Sequence, residues 1–166
     1  MSKAIDIIKL IEASPHTVYA NNSGAEFWGN IGAGVLAIAE STGRILVSYR
    51  SKFVNEPNTW GVVGGKLDDD KGSVQKAALR EFKEETGYSG PLKLVPAFVF
   101  KTKGFTYHNF IGLVKDEFAS KLDWETERFE WMTFEEVKNL KPMHFGLKVL
   151  LKDGKSTKLI QKWSKK

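Results

Sequence analysis

Apolar and polar positions follow two rhythms along this chain, and the changes between them mark out its elements. "SKAIDIIKLIEAS" at 2–14 carries apolar residues at helical spacing, with Ser2 as a cap and Pro15 beyond the end. "IGAGVLAIAE" and "RILVSYR" read as a pair of strands joined by the turn "STG". "EPNTWGVVGG" is a loop leading into a short strand that ends in paired glycines, and "KLDDDKG" is a polar loop. A helix follows, capped by Ser73, running to about Thr86 and stopped by Gly87. "KLVPAFVFK" and "FTYHNFIGLV" are strands with "TKG" as their hairpin, and "RFEWM" is another short strand. "TFEEVKNL" is a helix capped by Thr133, and residues 144–153 with part of the C-terminal end are helical.

Strands come mostly as neighbours rather than in regular βαβ alternation. That order predicts an α+β fold, a mixed or antiparallel sheet sandwiched between helices. A chain of 166 residues suits a single domain with a sizeable core. No apolar run approaches the roughly 20 residues of a membrane span, and the N-terminal stretch has acids where a secretory signal has none. Cysteine is absent, which excludes disulfides, thiol catalysis and cysteine-based zinc sites. These features suit a cytoplasmic protein with no membrane partner. The net charge of +5 is matched by residues 152–166, which hold six lysines and one aspartate. They read as a basic C-terminal tail on a neutral body, and no specific nucleic-acid recognition is expected of it. A homodimer is the default oligomer.

The stretch "ALREFKEETGY" raises the chemical question. At about 100° per residue, Glu81, Glu84 and Glu85 share one arc, and Val74, Ala78, Leu79 and Phe82 mark an apolar face. Glu81 and Glu85 are one turn apart. Like charges about 6 Å apart repel by roughly 0.7 kcal/mol in water and nearer 3 at an effective dielectric of 20. Stability alone would place a lysine at one of these positions. A multivalent cation reverses the sign of the effect, and carboxylate oxygens are the ligands Mg²⁺ and Mn²⁺ prefer. The paired glycines Gly64 and Gly65 allow close backbone approach, and Asp68, Asp69 and Asp70 follow in the loop.

The segment "GGKLDDDKGSVQKAALREFKEETGY" resembles the signature of the Nudix hydrolase family, G-x5-E-x7-R-E-U-x-E-E-x-G-U, where U is a bulky aliphatic residue. Arg80-Glu81 answers R-E, Phe82 takes a hydrophobic place, Glu84-Glu85 answers E-E, and Gly87-Tyr88 close the match. The loop is one residue longer than the pattern and its glutamate is absent: Lys71 or Gly72 stands there, depending on the end counted from. "TWGVVGGK" and "ETERFEWMTFEEV" resemble the flanking segments of the same family.

The resemblance implies divalent-metal-dependent attack of water on a diphosphate linkage in a nucleoside diphosphate joined to another group. Glu81, Glu85 and Glu84 correspond to metal-binding carboxylates, with the Gly64 carbonyl as a backbone ligand. Arg80 corresponds to the arginine that orients them. The general base is Glu84 or a late acid, Glu127 or Glu125. Mg²⁺ is the expected cofactor, with Mn²⁺ as a substitute. Arg50, His108 and Tyr107 are candidate substrate contacts, as are Lys52 and His144. Trp28, Tyr49, Trp60, Phe105 and Tyr107 read as a group as core or edge aromatics, with stacking of one or two on a base left open. Two other functions stay open: a non-hydrolytic nucleotide sensor, suggested by the missing loop glutamate, and an RNA 5′-end pyrophosphohydrolase, suggested by the lysines.

Overall fold

The computed structural model describes residues 16–19, 31–66, 73–102 and 104–165. The expected N-terminal helix, Trp28 and Asp68, Asp69 and Asp70 lie outside the described residues. Within them, eight strands join in one mixed sheet. The strands are β1 (His16–Tyr19), β2 (Ile31–Ala39), β3 (Ile45–Arg50), β4 (Trp60–Gly61), β5 (Val63–Lys66), β6 (Lys93–Thr102), β7 (Phe105–Val114) and β8 (Thr126–Met132). The helices are α1 (Val74–Thr86), α2 (Phe134–Lys138), α3 (Phe145–Lys152) and α4 (Gly154–Ser164).

The path across the sheet is β1-β6-β7-β2-β3-β4, with β5 on β2 and β8 on β3. The hairpin expected between β2 and β3 closes only at Ile38↔Ile45. β2 instead pairs in parallel with β7 along its whole length, from Ile31↔Thr106 to Ala39↔Val114. The physical reason is its composition: β2 is buried from Gly32 to Ala39, and a strand apolar on both faces belongs in the middle of a sheet. Its other edge is divided. β5 takes Gly32 to Val35, and β3 meets only the far end, at Ile38↔Ile45, while its other edge pairs with β8 from Ile45 to Arg50. The glycine pair lies inside β5 rather than ending it, because Gly64 and Gly65 pair with Gly34 and Ala33 and the strand continues to Lys66.

Both faces of the sheet are covered. On one, Ala33, Val35, Ala37, Leu46 and Phe110 pack against Ala77, Ala78 and Phe82 of α1. On the other, Leu36, Ile38, Val47, Phe98 and Ile111 pack with Val137 of α2, Leu147 and Leu150 of α3 and Ile160 of α4. This is the α+β sandwich that the order of elements implies. Most of the lysine-rich end is helical, as expected of part of it, and it packs on the core. It folds as α4, started by Asp153, whose carboxylate accepts from the Ser156 N–H (2.9 Å), and it buries Ile160 completely.

Candidate active site

The phase of α1 decides where its acids point, and both ends of the helix are fixed. The Ser73 hydroxyl accepts from the Lys76 N–H (3.3 Å) at the start. At the end Gly87 adopts φ 72°, and its N–H donates to the Lys83 carbonyl (2.9 Å). Core packing of Ala77, Ala78 and Phe82 then turns Glu81 and Glu85 toward the sheet and Glu84 outward, its side chain 60% exposed. Leu79 is only half-buried, and Ala77 is wholly buried with Ala78 and Phe82.

Glu81 lies directly above Gly65, where a Cβ would meet its carboxylate. Gly64 faces the opposite side of the sheet. There it joins Gly32 and Gly34 in leaving room for the Tyr107 ring, which a Cβ at any of the three would strike. Arg80 Nη1 donates to Glu81 Oε1 (3.0 Å) and to Glu84 Oε2 (3.3 Å), so one guanidinium links two of the acids.

Glu85 is the unusual member. It is 7% exposed, and among the described residues its Oε1 has no hydrogen-bond partner. A buried carboxylate without a partner is costly. Burial pushes its carboxyl well above the usual carboxylate range, and the charges of Glu125, Glu81 and Asp123 push the same way, opposed by Arg50. Burial also raises Glu81, against the pull of Arg80. Burial and the neighbouring Asp123 raise Glu125.

Glu125 sits on the loop before β8. Asp123 Oδ1 accepts from the Glu125 N–H (2.9 Å) and the Thr126 N–H (3.2 Å), closing a turn that fixes its position. Glu127, expected as the late acid, is not brought to the group. The β3–β8 register runs Tyr49↔Arg128 and then Arg50↔Thr126, so Glu127 is the extra residue of a bulge. Its side chain is 54% exposed and pairs with Arg128. The signal that favours Glu125, two acids at either side of Trp124 in "DWE", was in the sequence but had no register to rank it.

Arg50 ends β3 and its guanidinium is largely enclosed. Burial lowers its pKa, and Glu85, Tyr107, Glu56 and Glu125 are the charges that oppose this. Its Nε and Nη2 donate to the Asn55 carbonyl (3.1 and 2.7 Å). Burial and the charge of Glu85 raise the Tyr107 phenol well above its ordinary range. Arg50 and Tyr107 therefore share a neighbourhood with Glu85. His108 does not. It pairs with Ala33 and Val99, and the charge acting on it is Lys101, which together with burial lowers its pKa. His144 caps α3 through Nδ1, which accepts from the Gly146 N–H (3.0 Å), while Nε2 contacts Glu56 (2.9 Å). Lys52 is exposed, with its Nζ 5.2 Å from the centre of the Phe53 ring. Trp60 and Phe105 are core residues, and Arg128 covers Tyr49 and Trp60 at 4.4 and 5.0 Å.

Among the described residues no three His, Cys, Asp or Glu side chains form a ready-made metal cage. The donor set nevertheless fits a hard cation: all oxygen, partly buried, mutually repelling and with one acceptor unsatisfied.

Residues 30–153 match the Nudix domain family. The chain belongs to the Nudix family. A relative from Mycobacterium tuberculosis, provisionally named 8-oxo-dGTP diphosphatase 3, is 26% identical over 137 residues, covering 76% of this chain. This Nudix chain spans 62% of that relative's length. Among solved structures, the M. smegmatis Nudix hydrolase RenU superposes with a TM-score of 0.64 at 21% identity, covering 81% of this chain and 86% of that one. The Nudix domain of Shewanella oneidensis NrtR, complexed with ADP ribose, gives a TM-score of 0.60 at 15% identity, covering 96% and 98%. Both likenesses are of fold. Dependence on a divalent metal is general to the family. Among the described residues no helix is long and apolar enough to cross a membrane.

Proposed function

We propose that this Nudix protein hydrolyses a diphosphate linkage in a nucleotide derivative, using bound Mg²⁺ or Mn²⁺. The observation that carries this reading is Glu85, a buried carboxylate with an oxygen that has no partner among the described residues, facing the charges of Glu81 and Glu125. Such a group is unstable alone and satisfied by a cation. Glu85 and Glu81 hold the metal, with the Gly64 carbonyl and Glu84 as further ligands. The metal, when bound, polarises phosphoryl oxygens and makes water a stronger acid. Arg80 keeps Glu81 and Glu84 in place through its two hydrogen bonds. Glu125, with its raised affinity for a proton, takes the proton of the attacking water. Arg50 meets a phosphate, exchanging the Asn55 carbonyl for it. The surroundings are cytoplasmic and the substrate is a free nucleotide; a homodimer is the oligomer we favour.

The test is product formation from a panel of nucleotides with Mg²⁺, with Mn²⁺ and with chelator, beside Glu85→Gln. Metal-dependent release of a nucleoside monophosphate that the variant loses is the expected result. Unchanged hydrolysis by Glu85→Gln would sink the proposal. The absent loop glutamate, with Lys71 and Gly72 where the family pattern has it, favours a second reading as a nucleotide sensor. Metal-dependent binding without turnover across the panel would select it.

A further inference from the structure

Two large aromatic side chains stand in solvent on the loops that follow Arg50 and precede Glu125: Phe53 is 71% exposed and Trp124 is 66% exposed. Their backbones are pinned to each other through one buried serine. The Ser51 N–H donates to the Glu125 carbonyl (2.9 Å), its hydroxyl donates to the Trp124 carbonyl (2.8 Å), and the same Oγ accepts from the Phe53 N–H (3.3 Å). Asp123 closes the turn on the other side of Trp124.

Exposed apolar rings gain the fold little, and among the described residues the one cation contact on these two is the Lys52 Nζ over Phe53 at 5.2 Å. Rings carried on a fixed backbone, at low entropic cost, are suited to stack on a planar ligand. Their place says which ligand. Trp124 adjoins Glu125, whose charge acts on Glu85, and consecutive Cα atoms are only about 3.8 Å apart. Phe53 follows three residues after Arg50, whose guanidinium lies in the field of Glu85 and Glu125. A ligand with phosphates among these groups has its next moiety at the two rings.

We propose that Phe53 and Trp124 form the platform on which the planar base of the substrate stacks while its phosphates reach Arg50 and the carboxylates. This rests on the nucleotide reading above and adds to it the residues that take the base. Ser51 holds both ring-bearing loops and the Glu125 backbone together.

The experiment measures binding without turnover. The α,β-methylene analogues of ADP, GDP and CDP are titrated with Mg²⁺, following tryptophan fluorescence and calorimetry, with methylenediphosphonate as the base-free probe. The wild-type chain binds at least one nucleotide analogue more tightly than the base-free probe. Phe53→Ala and Trp124→Ala each weaken that analogue about tenfold and leave the base-free probe unchanged. Trp124→Phe retains most of the affinity and loses part of the fluorescence response. With a hydrolysable substrate the loss falls on KM rather than kcat. Equal loss for both probes, no loss in either variant, or a changed sedimentation state with unchanged affinity would overturn the platform; the last would assign the rings to a contact between copies. If the wild type cleaves nucleotides while the alanine variants match it, the platform fails and the hydrolase stands. If the variants lose binding while no nucleotide is cleaved, the hydrolase fails and the platform stands.

Discussion

Glu81 and Gly65 occupy adjoining space with nothing between them: a Cβ at residue 65 would stand 2.5 Å from the Glu81 Cδ and 2.6 Å from its Oε2. The strand floor thus sets how close the helix carboxylate comes to the sheet. Gly65→Ala is expected to fold, because the end of a glutamate side chain can move aside, and to lose activity by about ten- to a hundredfold through misplacement of Glu81. Gly64→Ala is expected to behave differently. Its Cβ would meet the Ala33 carbonyl at 2.7 Å and the Gly34 Cα at 2.8 Å, both backbone. Overpacking of that kind costs about 1–3 kcal/mol. Melting curves and activity on the two variants check the contrast: one loses rate, the other loses Tm.

The raised pKa of Glu85 predicts how stability depends on pH. Unfolded glutamate titrates near 4.3, and the folded carboxyl titrates higher because of burial and its acidic neighbours. Between those values the native state holds more protons than the unfolded state. Stability of the cation-free protein therefore falls as pH rises through that window and stays low above it. Glu85→Gln removes the charge. In chelator it is expected to melt a few degrees above wild type at about pH 8, with the gap narrowing toward about pH 4. Mg²⁺ or Mn²⁺ is expected to raise the wild-type Tm at the higher pH and to do little for the variant. A variant no more stable than wild type in chelator would contradict this.

Glu125 and Glu127 are two residues apart and are expected to differ sharply. Glu125→Gln should lower kcat by about 10²-fold or more, in the range of a lost general base. Glu127→Gln should stay within about twofold of wild type, since its partner is the exposed Arg128. Steady-state kinetics on the pair decides it.

The lysine-rich end is structural. Ile160→Ala should cost about 2–5 kcal/mol, because Ile160 is wholly buried among residues from the sheet and three helices. Removal of α4 should leave an unfolded chain, so deletion cannot test its charge. Replacing the exposed Lys155, Lys158 and Lys162 with glutamine tests it instead, and nucleotide hydrolysis is expected to survive.

The parts of this molecule written in local chemistry were legible in its sequence. Ser73 and Gly87 fixed the ends of α1, and Thr133 with Glu136 forms the capping box of α2. From those ends the helical phase of Glu81 and Glu85 follows. What sequence did not disclose depends on partners far along the chain. The parallel pairing of β2 with β7 joins residues more than seventy positions apart, and no turn chemistry announces it. The bulge that turns Glu127 away exists only in register with Tyr49 and Arg50. The burial of Glu85 likewise depends on strands that periodicity within α1 cannot see.

Because the edge of β2 is divided, the molecule opens there into two leaves. One leaf, β5 with α1, carries Gly65, Glu81 and Glu85. The other, β3 with β8 and their flanking loops, carries Arg50, Phe53, Trp124 and Glu125. The two helix carboxylates and the groups around Arg50 and Glu125 therefore belong to separate supports that meet at a fork. A substitution that alters the twist of one leaf changes the spacing between the two sets without touching a member of either. Substrate preference in such an architecture can drift through residues remote from any ligand, while the leaf of Glu81 and Glu85 stays as it is.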